Sequence, residues 1–188
     1  MKLFTNFFQS SIGKKFSMAL SAIFLMVFLL QHLLINITSL FSEELFNYLS
    51  HLMGTNPIIQ FIAQPILISG VLFHFIMGFF LEFQNRNATK YSYNNSSPQN
   101  SSTWMSRNMI VSGIVIFAFL ILHFIDFWIP EINYKYVKFL SEDTTRYYPE
   151  LVHKFTSPIR VLVYCVSFIF LSLHLQHGLI SSIKSVGA

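Results

Sequence analysis

Residues 161–187, VLVYCVSFIFLSLHLQHGLISSIKSVG, decide how this chain is read. The stretch is apolar and exceeds the roughly 20 residues that a helix needs to cross a bilayer. It nevertheless carries His174 in its second half. An imidazole placed in hydrocarbon is costly and needs a partner. Three other apolar stretches hold one histidine each, His32, His74 and His123. The role of these four imidazoles is the central question.

Composition points the same way. Of 188 residues, 53% are hydrophobic, 17% aromatic and only 11% charged, which excludes an ordinary soluble domain and fits a membrane protein. The 22 phenylalanines suit lipid and flat aromatic ligands alike. Cys165 is the single cysteine, so neither a disulfide framework nor a cysteine-ligated metal site is available. The net charge of +4 comes from scattered basic residues that mostly flank apolar segments, not from a basic stripe, so nucleic acid is not an expected partner.

The expected fold is all-α, an integral membrane four-helix bundle forming one domain over 1–188. The lead-in ends in Lys14 and Lys15, and the first span covers 16–37, too long for a signal-peptide core and without a small-residue cleavage site behind it. Residues 38–57 read as a loop with Glu43 and Glu44, closed by Thr55-Asn56-Pro57, a helix start with a capping residue followed by proline. The second span covers 58–81, with Pro65 as an expected kink. Residues 82–104 are polar and rich in Asn and Ser, a solvated linker. The third span covers 109–129 and is expected to stop at Pro130. Residues 131–157 mix aromatics and charges and suit a short interfacial helix; Ser157-Pro158 opens the fourth span, 159–180. No internal repeat stands out.

Lysine and arginine in the loops set the orientation. One side holds Lys2, Lys14, Lys15, Arg86, Lys90, Arg107 and Lys184. The other has none in its first loop and Lys135, Lys138, Arg146, Lys154 and Arg160 around its second. This bias favours both termini in the cytoplasm.

A helix rises about 1.5 Å per residue, which gives each histidine a depth. His32 lies 17 residues beyond Lys15 and His123 lies 16 beyond Arg107, each roughly 25 Å from the cytoplasmic edge. His74 precedes Glu82 by 8 residues and His174 precedes Lys184 by 10, each roughly 12–15 Å from that edge. Helices 1 and 3 thus offer one pair and helices 2 and 4 another. Two imidazoles from facing helices are what bis-histidine ligation of a haem iron requires. Gly70 and Gly78 flank His74 at four residues, and Gly178 follows His174 by four, leaving room for a macrocycle edge. Phe28, Asn36, Phe119 and Phe127 hold the corresponding places around His32 and His123. The competing readings are helix-packing glycines, hydrogen-bonded packing histidines, and a haem-free transporter with titrating histidines. His177, three residues past His174, is the other candidate on its helix, although His174 matches His74 better in depth. His51 and His153 fall in the outer loops.

The segments IGKKFSMALSAIFLMVFLLQHLLIN, TNPIIQ with GVLFHFIMG, SRNMIVSGIVIFAFLILHFIDFW and HLQHGLISSIKSVG together resemble the cytochrome b558 membrane-anchor subunit of succinate:quinone oxidoreductases, the di-haem type. The resemblance covers most of the four spans, in order. It implies two haem b groups, the distal one on His32 and His123 and the proximal one on His74 and His174. It implies a flavoprotein and an iron–sulfur subunit as partners on the cytoplasmic side of a bacterial inner membrane. Electrons would run from succinate to a quinone, menaquinone first among the choices, or in reverse as in fumarate reductases. Members usually carry a fifth transmembrane helix beyond the point where this sequence stops at Ala188. Some also carry a glutamate where Ser172 stands here, so transmembrane proton movement is not carried over. Asn36, Gln64, Asp126 and Trp128 are quinone-site candidates by position, and Lys14, Lys15, Ser106 and Arg107 are candidate propionate partners. The chain has no dinucleotide fingerprint and no cysteine cluster, so dicarboxylate chemistry would lie on partner subunits. A stand-alone transmembrane cytochrome b would use similar histidine pairs.

Overall fold

A computed structural model describes residues 10–88 and 109–187. The described residues are helical with no strand, and four helices are long and apolar enough to cross a membrane. We label them α1 (Ser11–Ile37), α3 (Ile59–Asn87), α4 (Met109–Val137) and α6 (Pro158–Val186). Two short helices accompany them, α2 (Glu43–Thr55) and α5 (Tyr147–Lys154). The chain is therefore an all-α, multi-pass membrane protein. Large apolar side chains such as Leu20, Val27, Ile76 and Ile169 are more than half exposed, as lipid-facing residues are. Buried positions are few and mostly small or polar: Ala19, Ala22, Asn47, Asp126, Ser167 and Ser182 beside Phe46 and Tyr164.

The helices differ from the sequence expectation at their ends. α1 begins five residues earlier, at Ser11, where the hydroxyl of Ser10 accepts from the Gly13 N–H at 3.0 Å. The expected loop after α1 contains α2. Ser42 caps it, accepting from the Leu45 N–H at 3.1 Å, and Glu43 and Glu44 favour its positive N-terminal end. Asn56 then caps the second span as expected, its Oδ1 accepting from the N–H groups of Ile58 at 2.9 Å and Ile59 at 3.3 Å.

Pro130 does not end α4. A π-helical turn, Phe124–Trp128, immediately precedes it, and the Ile129 N–H reaches back five residues to the Phe124 carbonyl. That wider turn displaces the carbonyl with which a proline ring otherwise collides. The same device precedes Pro65, where a π turn at Ile59–Ala63 is closed by the Gln64 N–H on the Ile59 carbonyl. α4 ends through a further π turn, Asn133–Val137, with Phe139 at φ 50, the left-handed position that usually holds glycine.

Among the described residues two compact units can be distinguished. One takes in α1 up to Met26, α3 from Ile68, α4 up to Ile114 and α6 from Leu171. Within it the Phe24 ring lies over Gly70, where a Cβ would come within 2.8 Å of Phe24 Cε1. The ends of Met18 and Met109 lie against Gly78 and Gly178. The other unit takes in Val27–Leu67 and Val115–Phe170. Here α2 packs on α5: buried Asn47 accepts from the Tyr148 N–H at 2.8 Å, and Phe46 meets the Tyr148 ring edge-on. Glu131 of α4 pairs with Lys135 and Arg146, and Arg146 also reaches Glu150 at 3.0 Å. Burial opposes the charge on Arg146, but Glu131 and Glu150 outweigh it and hold the guanidinium protonated beyond its usual range. Burial, then the Glu131 charge, pushes the Tyr147 phenol up to about 12.

Candidate functional site

The four intramembrane histidines meet in two cross-helix pairs, one in each unit. In the first unit the rings of His74 on α3 and His174 on α6 stand 6.5 Å apart, centre to centre, at 73°. Each is held by a serine from a third or fourth helix. Ser21 on α1 lies 3.0 Å from His74 Nδ1, and Ser112 on α4 lies 2.9 Å from His174 Nδ1. Each serine hydroxyl also donates back to its own helix, Ser21 to the Met18 carbonyl at 2.8 Å and Ser112 to the Met109 carbonyl at 2.9 Å. With its one proton engaged there, each hydroxyl is left to accept from the imidazole. That hydrogen bond corresponds to the Nδ1–H tautomer, the one that leaves the Nε2 lone pair available as a ligand. It is His174, not His177, whose ring meets His74.

In the second unit the rings of His32 on α1 and His123 on α4 stand 5.7 Å apart at 89°. Phe28 stacks on His32, and Phe119 and Phe127 flank His123 at 6.0 and 5.2 Å. Among the described residues no serine holds this pair. The Asn36 amide nitrogen donates to the His32 carbonyl at 2.8 Å and lies 3.3 Å from His32 Nε2, while buried His123 Nδ1 has no hydrogen-bond partner among the described residues.

These contacts expose a repeat that the sequence alone did not suggest. Superposing Ser21 on Ser112 and His32 on His123 aligns Met18, Ile23, Phe28 and Leu29 with Met109, Ile114, Phe119 and Leu120. Both halves then carry Met-x2-Ser-x10-His, a short helix, Thr-(Asn/Ser)-Pro-Ile and His-x3-Gly. His74 follows Pro57 by 17 residues, whereas His174 follows Pro158 by 16. The extra residue is taken up by the π turn at Ile59–Ala63, since a π turn holds one residue more than an α turn. The halves part after His32 and His123: α1 ends at Ile37, but α4 continues to Val137.

Asp126 sits on the continuing half. It is 2% exposed, three residues past His123. Tyr164 donates to its Oδ2 at 2.8 Å, and Arg160 and Lys154 stand 2.9 and 4.0 Å from its Oδ1. Asp126 also borders a cavity of about 530 Å³ in the same unit, with Lys138, Arg146, His153 and Lys154 on its walls. Of the other quinone-site candidates, Asn36 is spent on His32, Trp128 is 38% exposed against the Phe124 ring, and Gln64 closes a π turn. None of the three joins the Asp126 cluster. His51 lies instead by Tyr147 and Glu142. Lys14 stands over the Phe80 ring, and the candidate propionate partners Ser106 and Arg107 lie outside the described residues.

No protein-family model matches the chain. No curated protein and no solved structure matches it either. Among the described residues no group of three or more His, Cys, Asp or Glu could hold a metal ion. A macrocycle that brings four nitrogens of its own needs only two protein ligands. A metal–imidazole bond is about 2 Å long and the ring centre lies roughly 1 Å beyond the nitrogen, so two axial rings stand about 6 Å apart. The observed 6.5 and 5.7 Å bracket that value. The donor set, two imidazoles at each pair, fits a bis-imidazole haem; at His74 and His174 the serines engage Nδ1 and not Nε2, while at His32 Asn36 would have to release Nε2.

Proposed function

We propose that this chain is a membrane-embedded di-haem cytochrome b, with His74 and His174 as axial ligands of one haem b and His32 and His123 of the other. The observation that carries the reading is the pairing itself, four spans meeting through one histidine each in two cross-helix pairs. A bound haem would supply one-electron redox chemistry at each pair. The four histidines would hold the haems through Nε2, with Ser21 and Ser112 orienting the rings of His74 and His174 and apolar helix surfaces excluding water.

Within that class we propose the membrane-anchor subunit of succinate:quinone oxidoreductase in a bacterial inner membrane, both termini cytoplasmic, with a flavoprotein and an iron–sulfur subunit docked there. Menaquinone or another quinone would be reduced. Asp126 supports that assignment by its place: a buried carboxylate three residues past His123, surrounded by Tyr164, Arg160 and Lys154, puts a polar, hydrogen-bonding cluster beside the proposed His32–His123 centre. Fumarate reduction would run the same residues in reverse, the direction being set by quinone potential.

A reduced-minus-oxidised spectrum of membranes containing the chain tests the proposal. It should show b-type absorption, with two haems per chain by pyridine haemochrome assay. A flat spectrum sinks the reading and leaves a histidine-bearing transporter in its place. Co-purification with a flavoprotein separates the anchor subunit from a stand-alone cytochrome.

A further inference from the structure

We infer that Ser21 and Ser112 are paired positioning residues that fix the tautomer and raise the basicity of His74 and His174, and so set the redox potential of the metal centre those imidazoles bind. The inference rests on the haem reading above and deepens it. Its starting point is that the two serines stand in the same relation to different helices. Each donates to the carbonyl three residues back, at 2.8 and 2.9 Å, and each lies within 3.0 Å of an imidazole Nδ1. A serine that only filled space would not need both bonds, and the duplicated Met-x2-Ser places the arrangement in both halves.

The chemistry has a definite direction. An Nδ1–H that donates to a hydroxyl gives its ring more imidazolate character, making Nε2 a stronger donor. A stronger donor favours ferric over ferrous iron, so the potential falls. Among the described residues the His32–His123 pair has no such hydroxyl, and it serves as an internal control in the same molecule.

The test uses the full chain with its haems. Ser21→Ala and Ser112→Ala should each raise the midpoint potential of one haem and leave the other unmoved, with the double variant shifting it further. Weakened ligation should also lower the affinity for that haem about 10- to 100-fold, the usual effect of losing such a partner. Ser21→Thr keeps the hydroxyl and should restore the wild-type potential. Nitrogen NMR of chain prepared without haem gives a second readout: His74 and His174 should hold the Nδ1–H tautomer in the wild type and lose that preference in the alanine variants. Should an alanine variant lose both haems through misfolding, Ser21→Cys and Ser112→Cys decide the matter, keeping the bulk while weakening the acceptor. Unchanged potential and tautomer in the alanine or cysteine variants overturns the inference. So does a threonine variant shifted as far as alanine. A wild-type chain without haem instead defeats the functional reading, while the tautomer measurement still judges the serines.

Discussion

The phenol of Tyr164 on α6 donates a 2.8 Å hydrogen bond to the Asp126 carboxylate on α4, and both residues are almost wholly buried, at 4% and 2% exposure. A buried carboxylate is tolerable only when paired, and here Arg160 supplies the charge at 2.9 Å. Tyr164→Phe removes one hydrogen bond to an ionised group and should cost about 1.5–3 kcal/mol. Asp126→Leu leaves Arg160 and Lys154 without their counter-charge. Both cations are about a third exposed, so the cost should be nearer 2 kcal/mol than the 3–5 of a fully buried pair. Thermal unfolding in detergent measures both. A Tyr164→Phe variant that melts with the wild type would show that the bond contributes nothing. On the functional proposal, Asp126→Asn should also slow quinone reduction while both haems remain.

On the functional proposal, His174→Ala should remove one haem of two, whereas His177→Ala should remove none. The distinction follows from the ring of His174, which alone of the two faces His74. In the complex proposed here, electron flow to quinone should stop in His174→Ala, and succinate–dye activity of the soluble subunits should persist. The haem-to-protein ratio and the dye assay together decide it, and two haems retained in His174→Ala would refute the ligand assignment.

Gly54 marks a tight junction of α2 with α4 and α5. A Cβ there would sit 3.0 Å from Glu131 Oε1 and 3.1 Å from both Lys135 Nζ and the Tyr147 hydroxyl, and the Gly54 carbonyl accepts from Lys135. Gly54→Ala should be nearly neutral, because a gain in helix propensity of about 1 kcal/mol offsets a small displacement of those side-chain ends. Gly54→Val must part the ion pairs around Glu131 and should cost about 2 kcal/mol. Equal melting temperatures for the alanine and valine variants would count against this packing.

Much of this architecture can be read directly from the residues. Hydropathy marks the four spans because lipid demands uninterrupted apolar helices, and the depths of His32, His74, His123 and His174 pair them as the rings pair. Ser21 and Ser112 carry no signal in the sequence because serine is common in membrane helices, and only tertiary contact distinguishes one that meets an imidazole. The duplication was hidden because Leu, Ile, Val and Phe exchange freely on lipid-facing surfaces, so few positions stay identical. α2 was hidden because Glu43 and Glu44 read as loop, although Ser42 before them is a cap signal. Pro130 reads as a stop in the sequence, but a proline ends a helix only where the preceding turn is α, and here it is π.

The one-residue difference between the halves gives the last prediction. α3 carries an extra residue between Pro57 and His74, housed in the π turn Ile59–Ala63. Deleting a residue from a regular helix rotates everything beyond it by about 100°. Deleting Ile62 should instead convert the π turn to an α turn, giving His74 the spacing of His174 without turning its ring away. The π turn has a second task, however, since Pro65 follows it and needs its widened carbonyls. Deletion alone should therefore cost about 3 kcal/mol, the penalty of an interior proline, and deletion combined with Pro65→Ala should recover most of it. Deleting Leu72, in the regular part of α3, has no such reserve and should displace His74 and lose its haem. The haem-to-protein ratio and melting temperature of the three variants read this directly. If the Ile62 deletion with Pro65→Ala behaves like the Leu72 deletion, the π turn is not what accommodates the extra residue.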